Sequence, residues 1–433
     1  MAGPTNIRWR ILLLICLGSF VSYTLRANIS TAAPFMLEDL GLSEIQWGWV
    51  IAAFTASYAL FQFPGGIYGD TAGPKRAMIT IAVWWGVLTL ATALVPSQAI
   101  ASTTMILACL VLVRFLSGIS HAPIFPVQNV SIMHWFPVGN WALPHGLSST
   151  GLTLGVAVTT PILAWMLVEI GWRYAFIVLS PLAFIVALLW WWYGTDDPSE
   201  HPAVNDDELN LIRGTGVDNN DDEEQQLPWY EVLKNRNILL LTISYLCMNM
   251  VFYEVFSWFF YYLVTIRGFD VQDASYLTST QWVFGAIGAA AGGWICDRLC
   301  RRFGLRWGFR LLPMIGMILS GTCLLAGAYS TNTHLAMVLF ILCFLFNQLT
   351  EGAFWGTSIA IGGDQAGAAS GVMNTGANIS GTIGALLVPL SADVLGWSFA
   401  IATGSFFALL GAFLWLLIEP DKPLSSQGTP ANE

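Results

Sequence analysis

Charge is scarce in this chain. Lys, Arg, Asp and Glu make up 10% of its 433 residues, against 55% hydrophobic ones. Soluble domains carry about 25% charged residues, so too few are present to cover a water-facing surface. That excludes a soluble enzyme, a disulfide-stapled secreted module and a disordered regulator. Basic residues are the scarcer sign, 17 against 27 acidic, and the formal charge of −10 excludes nucleic acid as a partner. Cysteines are few: Cys16, Cys109, Cys247, Cys323 and Cys343 lie inside apolar runs, where a thiol behaves as a small hydrophobe. Cys296 and Cys300 flank a short basic loop with no other ligand type beside them, so neither a disulfide framework nor a metal site is expected. No nucleotide-binding motif and no paired nucleophile and base occur, so no cofactor and no catalytic residue are assigned. His134 and His145 fall near a loop rather than together.

Apolar sequence is what the chain has in excess, with 20 Trp, 26 Phe and a mean hydropathy of +0.63. About 20 apolar residues cross a bilayer. Twelve such stretches can be counted, at roughly 11–36, 47–69, 77–95, 103–127, 147–168, 173–193, 238–264, 275–296, 309–328, 334–358, 369–391 and 397–418. Arg8 and Arg10 before Ile11–Gly18 have the look of a secretory signal, but no small-residue cleavage site follows, so a first transmembrane helix is expected. Only the connection from Thr195 to Arg236 is long and polar. Its acidic residues, with Gly214 and Gly216, read as a partly disordered linker. The expected organisation is a six-helix bundle over 1–194, an acidic cytoplasmic linker over 195–236, a second six-helix bundle over 237–420 and a tail over 421–433.

The halves repeat each other. Gly65-Gly66-x-x-x-Asp70 after the second stretch recurs as Gly292-Gly293-x-x-x-Asp297 after the eighth. Gly146, Thr150, Gly151, Gly171, Trp172 and Ala175 recur in a common register as Gly371, Thr375, Gly376, Gly396, Trp397 and Ala400. Parallel six-helix halves predict an all-α, pseudo-symmetric transporter architecture with substrate held midway at their interface. Orientation follows from Lys and Arg placement. With both termini in the cytoplasm, Arg8, Arg10, Lys75, Arg76, Arg213, Lys234, Arg236, Lys422 and the cluster from Arg298 to Arg310 are cytoplasmic, and only Arg173 and Arg267 fall outside.

Gly66-x-x-x-Asp70-x-x-Gly73-Pro-Lys75-Arg76 resembles the signature loop between helices two and three of the major facilitator superfamily, and Gly293-x-x-x-Asp297-Arg298 is similar to its second copy. The resemblance implies the major facilitator fold and a conformational latch built from Gly66, Asp70, Arg76, Gly293, Asp297 and Arg298. Each aspartate sits at a helix end, where it can pair with a cation or cap a neighbouring helix. Thr71 departs from the family, which usually has Arg there.

Two arginines fall inside apolar stretches, where a cation is costly and marks function by default. Arg26 lies in Tyr23-Thr-Leu25-Arg26-Ala-Asn28, and Arg114 in Arg114-x-x-x-Gly118-x-x-His121-Ala-Pro123-x-Phe125, with Arg114, Gly118, His121 and Phe125 on one helical face. These segments, with Trp135-Phe136-Pro137 and Gly171-Trp172-Arg173, resemble the anion:cation symporter family within that superfamily. That family includes bacterial permeases for galactonate, hexuronates and phthalate, and animal sialin and vesicular glutamate transporters. The resemblance implies that Arg26 grips a substrate carboxylate and that Tyr23 lines the same cavity. It also implies an integral, multi-pass protein of the bacterial inner (plasma) membrane, acting as a monomer in the lipid bilayer.

Two departures matter. Bacterial members usually carry Asp before the helix-one Arg and Glu before Ala-Pro in helix four; here those positions are Leu25 and His121. The customary proton carriers are therefore missing. His121 titrates near neutrality when unperturbed, so it either replaces the glutamate or stays neutral and hydrogen-bonded in the bundle. Glu254 and Glu351 are the other coupling candidates, each equally suited to a structural ion pair. Tyr253 and Ser257 share a helical face, as do Asn374 and Asn378; with Arg114, His121 and Thr150 these complete the candidate substrate contacts. The expected function is secondary transport of small organic anions, sugar acids or related carboxylates, with a proton as candidate co-substrate. A uniporter or exchanger, or a relative that binds solute without moving it, fits the same residues.

Overall fold

The structure is a computed structural model that describes residues 3–424, apart from 43, 138, 214–228 and 270. It is all-helical, and no strand occurs among the described residues. The first half contains α1 (Ile7–Leu40), α2 (Glu44–Ala72), α3 (Pro74–Ala93), α4 (Thr103–His121), α5 (Ile124–Trp135), α6 (Ala142–Glu169), α7 (Gly171–Leu179) and α8 (Pro181–Tyr193). The connection holds α9 (Asp206–Arg213). The second half contains α10 (Arg236–Tyr261), α11 (Val271–Tyr329), α12 (Thr333–Gln348), α13 (Glu351–Gly362), α14 (Ala366–Leu395) and α15 (Trp397–Leu414). Taken as rods, with α4–α5, α7–α8 and α12–α13 each one pass and α11 two, the described residues cross the bundle twelve times.

Local chemistry sets the breaks. Pro74 and Pro181 occupy first-turn positions, where the missing N–H costs nothing. Ser102 and Asn332 accept from Met105 N and Leu335 N, capping α4 and α12. Within α11, Gly304 takes φ 74° and ψ 170°, the reversal between the eighth and ninth passes. The expected loop around Cys296 and Cys300 is therefore largely helix. Both thiols are buried against the chain that returns past Gly308.

The sequence repeat is a structural one. In the first half α1 packs on α6 and α2 on α4; in the second, α10 packs on α14 and α11 on α12. Between halves, α2 lies against α14 and α6 against α11, an exchange that follows from the pseudo-two-fold relation. The matched glycines occupy matched contacts. Gly146 abuts the backbone of Ala289 and Gly293, and Gly371 that of Gln62 and Phe63. Gly151 abuts Cys16 of α1, and Gly376 abuts Thr242 of α10. Without side chains at these sites the backbones approach closely, which drives helix association where the hydrophobic effect gives no preference.

The end that holds both described termini is sealed by two reciprocal caps. Asp70 of α2 accepts from Gly367 N (2.9 Å) and Ala368 N (2.8 Å) at the start of α14. Asp297 of α11 accepts from Ala142 N (2.9 Å) and Leu143 N (3.0 Å) at the start of α6. Each carboxylate thus satisfies first-turn N–H groups of a helix in the opposite half and sits at the positive end of its dipole. Gly66 lies directly against the Gly367 backbone and Gly293 against that of Ala142 and Leu143. The arginines of the expected latch are elsewhere: Arg76 is exposed, and the Arg298 guanidinium lies 3.6 Å from the Trp294 ring centre. Backbone donors have taken the place of those cations.

The first part of the connection is ordered. Glu208 of α9 accepts from Thr5 Oγ1 (2.6 Å), Ile7 N (2.8 Å) and Arg8 N (3.1 Å), which caps α1. Asp196 accepts from Lys75 N (2.7 Å) at the start of α3. The acidic run from Asp218 to Glu224 lies outside the described residues.

Two predictions follow from these contacts. Burial pushes the Glu208 carboxyl up, but hydrogen bonds from Thr5, Ile7 and Arg8 and the Arg8 charge outweigh it and hold the group below the usual range. A depressed carboxyl stabilises the fold at pH above its unfolded value, about 4.3, and that contribution is lost as pH falls through the folded value. Glu208→Ala should therefore cost about 1–2 kcal/mol at pH 7, and its melting point in detergent should converge with wild type below about pH 4. Gly66→Val should force α2 away from α14 and lower the melting point in detergent; melting within 1 °C of wild type would refute the close contact.

Candidate functional site

Where the halves meet lies a cavity of about 50 Å3. The first half contributes Tyr23 and Arg26 from α1, Tyr58 from α2, Phe125 from α5, and Ser149 and Leu152 from α6. The second contributes Tyr245, Asn249, Phe252 and Tyr253 from α10, Gln348 from α12, Glu351 and Trp355 from α13, and Asn374, Ala377 and Asn378 from α14.

Arg26 is enclosed by rings. Its guanidinium carbon lies 5.2, 5.4 and 4.8 Å from the ring centres of Tyr23, Phe54 and Tyr58, and Nη1 donates to the Tyr23 hydroxyl at 3.2 Å. Among the described residues it makes no salt bridge. A membrane-buried cation held on aromatic faces, facing a cavity and lacking a carboxylate partner, has its charge available for a bound anion.

Opposite stands Glu351, the one carboxylate on this wall among the described residues. Glu351 Oε1 accepts from Tyr245 Oη (2.8 Å) and from Trp355 Nε1 (2.9 Å). The Trp355 ring lies against the first half, stacked on His145 at 5.1 Å and 13° and 5.7 Å from Phe125. Asn374 donates to Gln62 of α2 at 3.0 Å, and Asn378 accepts from Tyr253 Oη at 3.4 Å.

Of the residues singled out from sequence, Tyr23, Arg26, Tyr253, Asn374, Asn378 and Glu351 lie together on the cavity wall. Others lie off it. The predicted face of Arg114, Gly118, His121 and Phe125 is broken between α4 and α5 around Pro123, which has no N–H to continue the ladder. Phe125 reaches the cavity, whereas Arg114 is buried behind Phe54, 4.5 Å from its ring centre. His121 stacks on Trp85 at 5.1 Å, with Nδ1 2.9 Å from the Ser117 carbonyl. Thr150 donates to the carbonyls of Gly146 and Ala286, so it joins α6 to α11 while its neighbour Ser149 lines the cavity. Glu254 is buried against α15, accepting from Thr403 Oγ1 at 3.0 Å beside Gly404. The Ser257 side chain lies outside the described residues. No cluster of three metal-ligating side chains occurs among the described residues.

Sequence reasoning missed Tyr58, Tyr245, Asn249 and Trp355. A signal existed for two of them: Tyr245, Asn249 and Tyr253 recur every fourth residue and form a polar stripe along one face of α10.

A polar cavity at the pseudo-two-fold interface of two membrane-spanning bundles defines a solute carrier. The chain belongs to the Major Facilitator Superfamily, whose family model matches residues 15–375. It is 31% identical to a protein named a probable sulfoacetate transporter, SauU, from Cupriavidus necator, over 88% of this chain and 87% of that one. It is 27% identical to a hexuronate transporter from Bacillus subtilis, over 96% of each. Among solved structures it shares its fold with the proton:xylose symporter XylE (TM-score 0.77, 15% identity, 97% of this chain and 98% of that one). The fucose transporter FucP in an outward conformation is also similar (TM-score 0.72, 16% identity, 94% and 98%).

Phe54 holds two cations at once. Phe54→Leu removes both ring contacts, each worth about 0.5–2 kcal/mol, so it should lower the melting point in detergent. Melting within 1 °C of wild type would show that neither arginine depends on the ring.

Proposed function

We propose that this protein is a secondary carrier of small organic anions, sugar acids or related carboxylates and sulfonates. It works by alternating access and takes a proton as co-substrate. The single observation that carries the reading is Arg26, a cation facing the central cavity with no carboxylate partner among the described residues. Relatives named for sulfoacetate and hexuronate support the anion class. Hydroxyl and amide groups from Tyr23, Tyr245, Asn249 and Asn374 give the wall donors and acceptors suited to an oxygen-rich solute.

Lys and Arg placement supports an inner-membrane orientation with both termini in the cytoplasm. The sealed end is then cytoplasmic, and the cavity belongs to a state that loads from outside. Leu25 and His121, in place of two carboxylates, favour a second reading as an exchanger that needs no proton.

Both readings are tested in proteoliposomes. Labelled sulfoacetate or a labelled hexuronate should accumulate when an inward proton gradient is imposed; exchange without accumulation would select the second reading, and neither would refute both. Arg26→Lys keeps the charge and loses the planar fork, so uptake should fall at least about tenfold, roughly 1.4 kcal/mol. Uptake within twofold of wild type at equal expression would remove Arg26 from the site.

A further inference from the structure

We infer that Glu351 is the group that carries the coupled proton. This rests on the proton-coupled reading above and assigns that task to a residue outside helices one and four.

Position is the first argument. Of the three coupling candidates only Glu351 lies on the cavity wall; His121 stands edge-on to Phe54 and stacks on Trp85, and Glu254 is buried against α15. Water and anion entering the cavity reach Glu351 and neither of the others. Facing it are Tyr245 and Tyr253 of α10, Tyr23 and Arg26 of α1, and Tyr58 of α2, while α14 presents Asn374 and Asn378. From α6, His145 stands beyond Trp355. Among the described residues, α5, α11 and α12 place no titratable side chain on this wall.

Charge is the second. Among the described residues four ionisable side chains surround the bundle centre, Arg26 and Arg114 positive, Glu254 and Glu351 negative when ionised, and these charges sum to zero. A bound monoanion leaves one uncompensated negative charge within the membrane as the halves rock, which is costly. A proton on Glu351 restores neutrality. The empty carrier with Glu351 ionised and the loaded carrier with Glu351 protonated are thus the two balanced states, and rocking between these two alone is one-for-one symport.

Connection to the closed end is the third. The oxygen that would lose acceptor strength on protonation is the one holding Trp355 Nε1, and the Trp355 ring is stacked on His145 of the opposite half. Protonation of Glu351 therefore loosens a side chain that spans the two halves. In the full step a proton adds to the Glu351 carboxylate from water on the open side while the anion pairs with Arg26. After rocking, the same O–H bond breaks and both ions leave on the other side.

The test uses the full-length protein in proteoliposomes holding a pH-sensitive dye, with whichever of sulfoacetate or a hexuronate wild type accumulates. Glu351→Gln is a permanent mimic of the protonated acid, and its accumulation and proton entry are read relative to its own counterflow. It should lose gradient-driven accumulation and dye-reported proton entry at least tenfold, and Glu254→Gln should keep both. Proton entry in Glu351→Gln within twofold of wild type overturns the assignment, as does its loss in Glu254→Gln with Glu351→Gln unaffected. Wild type that moves anion without protons overturns the coupled reading itself. A second measurement needs no variant: a hydrophobic carbodiimide, which attacks protonated carboxyl groups, should modify Glu351 in wild type, with the extent changed by added anion. Modification confined to Glu254 overturns the assignment.

Discussion

The N–H groups that open α6 and α14 have no partners on their own helices, and in each case the partner is supplied by the other half. In a membrane an unsatisfied N–H costs several kcal/mol, so it demands an acceptor wherever the chain runs. Asp297 and Asp70 meet that demand in one arrangement of the halves. To open this end both caps must be broken, and at that moment four backbone donors need water. The resting geometry, the glycine contacts beneath the caps and the closure of the cavity floor all depend on this pair of hydrogen-bonded ends.

The cavity obeys the opposite logic. At the caps each carboxylate is matched by two backbone donors, whereas on the wall the charge of Arg26 is held by aromatic faces, which stabilise a cation without neutralising it. A carboxylate at that point would bind the arginine and compete with solute. Glu351 is instead oriented by Tyr245 and Trp355, so a positive and a negative group share one cavity without a salt bridge between them.

The fold was legible in sequence because its signals are long and redundant: twelve apolar stretches, a single polar connection, and glycines repeating in register. The positions of those glycines in matched contacts, Gly146 with Gly371 and Gly151 with Gly376, show why the pattern was informative. The candidate site was legible where one residue contradicts its surroundings, as Arg26 and Glu351 do. It was not legible where the outcome depended on which way a helix face turns. Pro123 interrupts the helix-four face, so His121 and Arg114 point away from the cavity that Phe125 reaches. Nor does sequence spacing reveal that a motif aspartate prefers two backbone N–H groups to a neighbouring arginine.

The chain joins its halves covalently at only one place, and part of that connection belongs mechanically to the first half, since α9 is clasped to the start of α1 through Glu208. The association of the halves rests on noncovalent surfaces that each half presents to the other in the same pattern. That is the situation expected of two copies of an ancestral six-helix gene that assembled as a dimer before they were fused.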